Sequence, residues 1–194
     1  MGNLKRKIFL QLALIILAFI IGILIAPLVR ETAYQIKSWV GKEKFQAPVE
    51  KVVILYFSTP EGEELIPVKR KIWMEKESSI NNEIKKVIEE LIKGPESDSF
   101  IPTVPPETKV KAIYTRGDTI YVDFSASLVE KHPGGTSGEL VTVYSIVNTL
   151  LENFPRYSKV QLLIEGSSHH TLAGHIDIRN PLSRNEGLIK SLER

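Results

Sequence analysis

The chain opens on an apolar run from Ile8 to Val29 that contains no charge and one polar side chain, Gln11. As a helix it would be about 33 Å long at ~1.5 Å per residue, matching a hydrocarbon core about 30 Å thick. Helical spacing continues through Ala33, Ile36 and Val40, with Tyr34 and Trp39 as interfacial aromatics and Gly41 as the stop. After the charged linker GKEKFQAPVEK the rhythm changes. KVVILYF (51–57) is continuously apolar and predicts a strand buried on both faces. ELIPVKRKIW (64–73) alternates loosely through Ile66, Val68 and Ile72, and Pro67, which has no N–H to give a ladder, places it at a sheet edge. Ile80, Ile84, Val87, Ile88, Leu91 and Ile92 share one helical face, with Ser78 or Ser79 as N-cap and Gly94-Pro95 as the stop.

Period two returns in KVKAIYT (109–115) and TIYVDFS (119–125). Val110, Ala112 and Tyr114 are expected to face Ile120, Val122 and Phe124 across a hairpin. A second helical stripe runs through Leu140, Val143, Tyr144, Val147, Leu150, Leu151 and Phe154. Thr136 and Glu139 are spaced as a capping box before it, and Pro155 ends it. KVQLLIE (159–165) and TLAGHIDIR (171–179) read as strands, and the tail after Pro181 reads as charged and frayed, with a short helix open to GLIKSLER. The order β-β-α-β-β-α-β-β predicts an α+β fold with two helices on one face of a largely antiparallel sheet, behind one transmembrane helix.

Charge sets the expected orientation. Lys5, Arg6 and Lys7 stand directly before the apolar run, so the positive-inside rule keeps residues 1–7 in the cytoplasm and exports the rest. Leu24-Ile25-Ala26 is followed by Pro27, a poor cleavage site, which favours an uncleaved signal anchor over 8–29. Arg6 stands where myristoylation of Gly2 would need Ser or Thr. The expected organisation continues with a juxtamembrane helix and linker over 30–50, one extracytoplasmic domain over 51–183, and a tail over 184–194. With 25 basic and 23 acidic side chains, the chain lacks the basic excess of a nucleic-acid binder. It has no cysteine, which excludes a disulfide framework, a zinc ribbon, a thiol nucleophile and a lipid-bearing cysteine.

Four stretches invite a chemical reading. HPGGTSGEL (132–140) is a glycine-rich loop entering a helix, but Glu139 stands where a phosphate loop needs Lys-Ser/Thr and would repel an anion. Ser137 lies in no nucleophile elbow, and nothing in the sequence brings Asp123 and Glu139 together as acid and base. Arg116-Gly117-Asp118 is ordinary hairpin-turn chemistry rather than an adhesion motif. EGSSHHTLAGHIDI (165–178) gathers His169, His170, His175 and Asp177, yet His170 and His175 are five apart, off the spacing of helical zinc sites. On a strand, His175 and Asp177 share a face while Leu172, Ile176 and Ile178 point to the core. Local hydrogen bonding is the favoured reading for His175 and Asp177. No catalytic, cofactor-binding or metal residue is assigned, and no cofactor is expected.

Taken in order, ILYF, LIPVKR, LIKGP, VDFS, GGTSGELVTVYSIVNTL, VQLLIEG and TLAGHIDIRNPL resemble the GerMN, or germane, family of sporulation and spore germination, over about residues 51–183. The family positions visible are Gly94-Pro95, Asp123-Phe124-Ser125, Gly134-Gly135, Glu139, Gly166, Gly174-His175 and Asp177. The resemblance implies an α+β domain akin to the ring-building motifs of envelope assemblies, without catalytic residues. The expected function is a non-enzymatic, single-pass membrane protein of the bacterial cell envelope. Its exported domain would bind envelope proteins or itself, with no nucleic acid and no small-molecule substrate. The alternatives are a cell-wall or small-ligand binding module, with Tyr56, Trp73 and Tyr114 as candidate contacts, and a metal hydrolase using the histidines.

Overall fold

The computed structural model describes Leu12, residues 14–27 and 29–32, and residues 47–190. Lys5-Arg6-Lys7, the juxtamembrane positions Tyr34 to Gly41 and the end of the tail, 191–194, lie outside the described residues. Helix α1 (Leu14–Thr32) is long and apolar enough to cross a membrane, a test that a signal sequence near an N-terminus also passes. The chain divides into Met1–Gln46 and a compact unit, Ala47–Arg194.

That unit contains two sheets where one is expected from the sequence. Strands β1 (Val49–Ser58) and β2 (Leu65–Met74) form an antiparallel pair in which Val53 faces Arg70 and Leu55 faces Val68. Strands β3 (Val110–Arg116), β4 (Thr119–Phe124) and β5 (Lys159–Ile164) form the second sheet in that order. There β3–β4 is antiparallel and β4–β5 is parallel. The parallel pair follows from its connection, because two strands joined through a crossover helix run the same way. That crossover holds helices α3 (Ser127–Glu130) and α4 (Thr136–Asn153).

Helix α2 (Ile80–Ile92) forms as its stripe predicts. The Ser79 side chain caps it by accepting from the Asn82 N–H, and Gly94, at φ +83°, closes it with its N–H on the Leu91 carbonyl. The buried Arg70 guanidinium donates to the Glu90 and Gly94 carbonyls, satisfying acceptors that the helix end leaves over. Helices α2 and α4 both pack on β1, and α2 also meets β3 while α4 meets β5. Phe57, Ile84, Ile88, Ile120, Phe124, Ile146, Leu150 and Leu162 are all buried in the cluster between them. Each such side chain stabilises the fold by about 1.5–3 kcal/mol through burial.

The strand order explains two departures from the pattern. A β-bulge between Val110 and Ala112 inserts one residue into β3, which reverses the facing of everything after it. Ile113 therefore points into the core opposite Val122, and Tyr114, expected inside, is exposed. Residues 171–179 are irregular rather than a strand: apart from the Ile178 N–H on the His170 carbonyl, this stretch is held by side chains. The expected burial of Leu172 and Ile178 survives without the strand.

The tail after Pro181 is docked, not frayed, as far as Lys190. Leu182 exchanges both backbone bonds with Val160, Asn185 exchanges two with the Asn148 side chain, and the Lys190 N–H reaches the Leu65 carbonyl. A single 3-10 turn, Glu186–Leu188, lies within this segment.

Candidate functional site: a carboxylate clasp and a groove on helix α4

Between Leu140 and Leu151 the α4 sequence carries no charge, and from Val141 to Leu151 every side chain except Tyr144 is buried. A helix buried on nearly all sides must spend its polar groups inside the protein, and each of these has a partner. Thr149 Oγ1 accepts the Tyr56 N–H at 3.0 Å. Asn153 accepts the Ile54 N–H at 3.0 Å and returns a bond to the Ile54 carbonyl at 2.7 Å. Ser58 exchanges both of its backbone bonds with Ile101. Together these close the edge of β1 that β2 leaves open, from Ile54 to Ser58, a protection that bare edge strands need.

Glu139 makes the most concentrated contact. It stands in the first turn of α4, but its side chain does not complete a capping box. Gly135, at φ +81°, is the N-cap instead, and no side chain caps the helix there. The carboxylate, 0 % exposed, reaches the closing loop and accepts the Leu172 and His175 N–H groups, each at 2.7 Å. Burial works to raise its pKa, and the N–H groups of Ala173, His175, Leu172 and Ile176 more than reverse this, leaving it below the usual carboxylate range. The His175 ring adds a contact from Nδ1 to Oε2 at 3.2 Å.

The other candidate residues are dispersed. Asp177 is engaged by Arg179 through its backbone and guanidinium, and the guanidinium holds its carboxyl well below the usual range. His169 and His170 are exposed, and no cluster of three metal-ligating side chains forms among the described residues. Asp123 accepts the Gly166 N–H at 2.7 Å and so serves a different segment from Glu139. Ser125 holds Lys109 in both directions, with its Oγ accepting the Lys109 N–H and its own N–H donating to the Lys109 carbonyl. Ser137 is exposed on the first turn of α4. Arg116-Gly117-Asp118 is the hairpin tip, where the Asp118 carboxylate takes the Ser158 hydroxyl. Of the aromatic candidates, Tyr56 is buried under Arg184, while Trp73 and Tyr114 are exposed on different sheets.

Beside the N-terminal half of α4 lies a groove of ~580 Å³ that motif reading missed. Pro102, Pro105, Pro106 and Pro133 wall it, Val104 and Val141 line it, and Lys131 and Glu107 stand in its lining with opposite charges. His132 stands behind this lining and bonds to Thr142. The Thr142 hydroxyl donates to the Thr103 carbonyl at 2.6 Å and so accepts from His132 Nε2 at 3.0 Å. His132 Nδ1 accepts the Gly134 N–H at 3.0 Å. Both ring nitrogens are thereby assigned to a neutral imidazole. Burial lowers the His132 pKa, against an opposing pull from Glu139.

Fold and site together define a small α+β domain behind an N-terminal apolar helix, with its polar residues turned inward to hold its own loops. The chain belongs to the Germane family, described as sporulation and spore germination, which matches residues 54–170. Three solved structures share the fold. A candidate lipoprotein from Clostridium perfringens is 19 % identical, with a TM-score of 0.50 over 71 % of this chain and 88 % of that one. The first GerMN domain of the Bacillus subtilis sporulation protein GerM is 22 % identical, with a TM-score of 0.53 over 69 % and 98 %. The tandem GerMN domains of that protein match at the same identity and TM-score over 74 % of this chain and 47 % of the pair, so the chain spans about half the tandem's length. No curated protein is similar enough to count as a relative. The α+β GerMN-like fold expected from the sequence is the one observed, with two antiparallel strand pairings and one parallel pairing.

Proposed function

We propose that this chain is a non-enzymatic docking protein of the bacterial envelope, held by α1 as an uncleaved anchor with its domain outside the cytoplasm. There it would bind envelope proteins in a sporulation- or germination-related process. One observation carries this reading. Glu139, Asp123 and Ser125, three of the polar positions that the family resemblance singles out, are bonded to the domain's own backbone, while an apolar groove beside the N-terminal half of α4 stands open. Carboxylates already holding several backbone N–H groups are poorly placed for acid–base chemistry, whereas an apolar concavity with a few polar groups is suited to binding.

Because the chain has no native thiol, Ile101→Cys and Pro106→Cys each introduce a unique one at the groove. Thiol crosslinking in intact envelopes is expected to join these two positions to one and the same partner, with Tyr114→Cys on the hairpin giving none. Equal adducts from all three positions would contradict the groove as the docking site. A topology reporter at Lys190 that reads cytoplasmic would contradict the orientation.

A further inference from the structure

Among the described residues from Ala47 onward, the large apolar side chains left exposed are Val49, Val52, Trp73, Ile80, Ile101 and Tyr114. Val49, Val52 and Trp73 lie at the open end of the β1–β2 hairpin, with Val49 on the opposite face from the other two. Val49 opens β1 opposite Met74, Glu50 faces Trp73, and Val52 faces Lys71. Ile80 begins α2, and Asn82 and Glu83 of its first turn, though not Ile80 itself, line a recess with Trp73 and Met74. Partners across an antiparallel pair point the same way, so Val52 and Trp73 lie on one face of the hairpin with Lys69 and Lys71. Trp73 is 62 % exposed and Val52 58 %.

Among the described residues, that face is covered at its other end only. Tyr56 is buried there with Leu188 and Ile189 packed against its cluster, and Arg184 donates to its hydroxyl. The docked tail thus covers one half and leaves the Trp73 half bare. The bare half is also where the chain enters the domain. Residues 33–46 are all that separate Ala47 from Thr32, no more than about 50 Å of chain even if fully extended. Lys71 is paired with Glu50 and Lys51 with Glu83, while Lys69 and Lys76 have no ion-pair partner among the described residues. Glu75 offsets part of this charge. An exposed tryptophan among aliphatic and lysine side chains is the composition that settles at headgroup depth, with the ring in the interface and the ammonium groups in water.

We propose that the face of the hairpin carrying Val52 and Trp73, at the end where the chain enters the domain, rests on the headgroup layer of the bilayer that holds the anchor. The proposal rests on the reading of α1 as an uncleaved anchor. The aromatic and aliphatic contacts carry the attachment, since the local charges nearly cancel, so it persists at high salt.

The chain has two tryptophans, Trp39 and Trp73, so Trp39→Phe leaves Trp73 as the sole reporter. The full-length variant is reconstituted into phosphatidylethanolamine–phosphatidylglycerol vesicles with and without headgroup-spin-labelled lipid. Trp73 emission is expected to be blue-shifted and to lose most of its intensity in the labelled vesicles, equally at low and high salt. Solvent-like emission that the label leaves untouched would overturn the proposal. So would a blue shift that escapes the label and grows with protein density, which would mean that a second copy covers the face. Flotation at high pH reads anchoring separately: a chain that floats with Trp73 unquenched overturns the surface contact and leaves the anchor standing.

Discussion

Helices α2 and α4 are built by opposite rules. In α2 the apolar residues form one stripe, charged residues fill the opposite face, and Ser79 and Gly94 mark its ends. Two exposed or half-exposed ion pairs, Lys51–Glu83 and Lys85–Glu89, are worth little to stability, while Lys86 and Lys93 reach the buried Glu90 beside Arg70. In α4 the inward polar residues, apart from Ser145, which bonds back to the Thr142 carbonyl, hold pieces of chain that are not helix: β1 by Thr149 and Asn153, the tail by Asn148, the 101–108 segment by Thr142, the closing loop by Glu139. One helix is stabilised by what it buries, and the other organises what surrounds it. A polar substitution site on α4 is therefore expected to behave like a core position.

The strongest way to break this contrast is at Glu139. Glu139→Gln keeps the shape but turns an amide donor toward N–H groups, with an expected cost on the order of 3 kcal/mol. For a domain of this size that corresponds to roughly 6–12 °C in Tm, readable by calorimetry. A loss no greater than a surface substitution would place Glu139 outside the framework. Next is Asn153→Ala, which frees both backbone groups of Ile54, with an expected cost of about 1–3 kcal/mol. It should also raise the tendency to aggregate, seen by light scattering, because it uncovers part of a strand edge.

A pH scan adds a smaller effect. The neutral His132 ring is required by its bonds to Thr142 and Gly134, and its folded pKa lies below its unfolded value. Its contribution to stability is complete above the ordinary histidine value near 6.5 and is lost as pH falls from there through the lowered folded value. His132→Gln is expected to flatten the unfolding-midpoint curve in that window. Glu139, also lowered, adds a loss only further into acid, below the ordinary carboxylate range. The smallest effect belongs to α2, where Ser79→Ala removes one cap bond at a cost of about 1 kcal/mol. If Ser79→Ala proved costlier than Asn153→Ala, the contrast between the two helices would be reversed.

The same contrast explains what could be read from the sequence. The bounds of α2, the edge position of Pro67 in β2, and β4 and β5 follow from periodicity and turn residues, because local pattern and environment agree there; β1 forms as expected, but Val52 is exposed, so its first half is not buried on both faces. The facing of Tyr114 was misread because a bulge is set by pairing with β4, which no local pattern records. Residues 171–179 looked like a strand because Leu172, Ile176 and Ile178 sit at period two. The backbone N–H groups there go instead to a carboxylate some thirty residues earlier, and that partnership is visible only in three dimensions. His175 and Asp177, read as neighbours on one face, turn to different partners, Glu139 and Arg179. The groove was illegible for the same reason, since its walls come from Ser58, residues 101–107 and 131–142.

The central claim is that the residue most suggestive of chemistry, Glu139, is consumed by the fold. Its side-chain carboxyl can be titrated directly by carbon-detected NMR, with and without zinc. The account predicts a pKa below the ordinary glutamate value, no response to zinc, and loss of Leu172 and His175 amide protection as the carboxyl protonates. A raised pKa, or a carboxyl resonance that moves with zinc alongside the His175 ring, would contradict it and return this loop to the catalytic candidates.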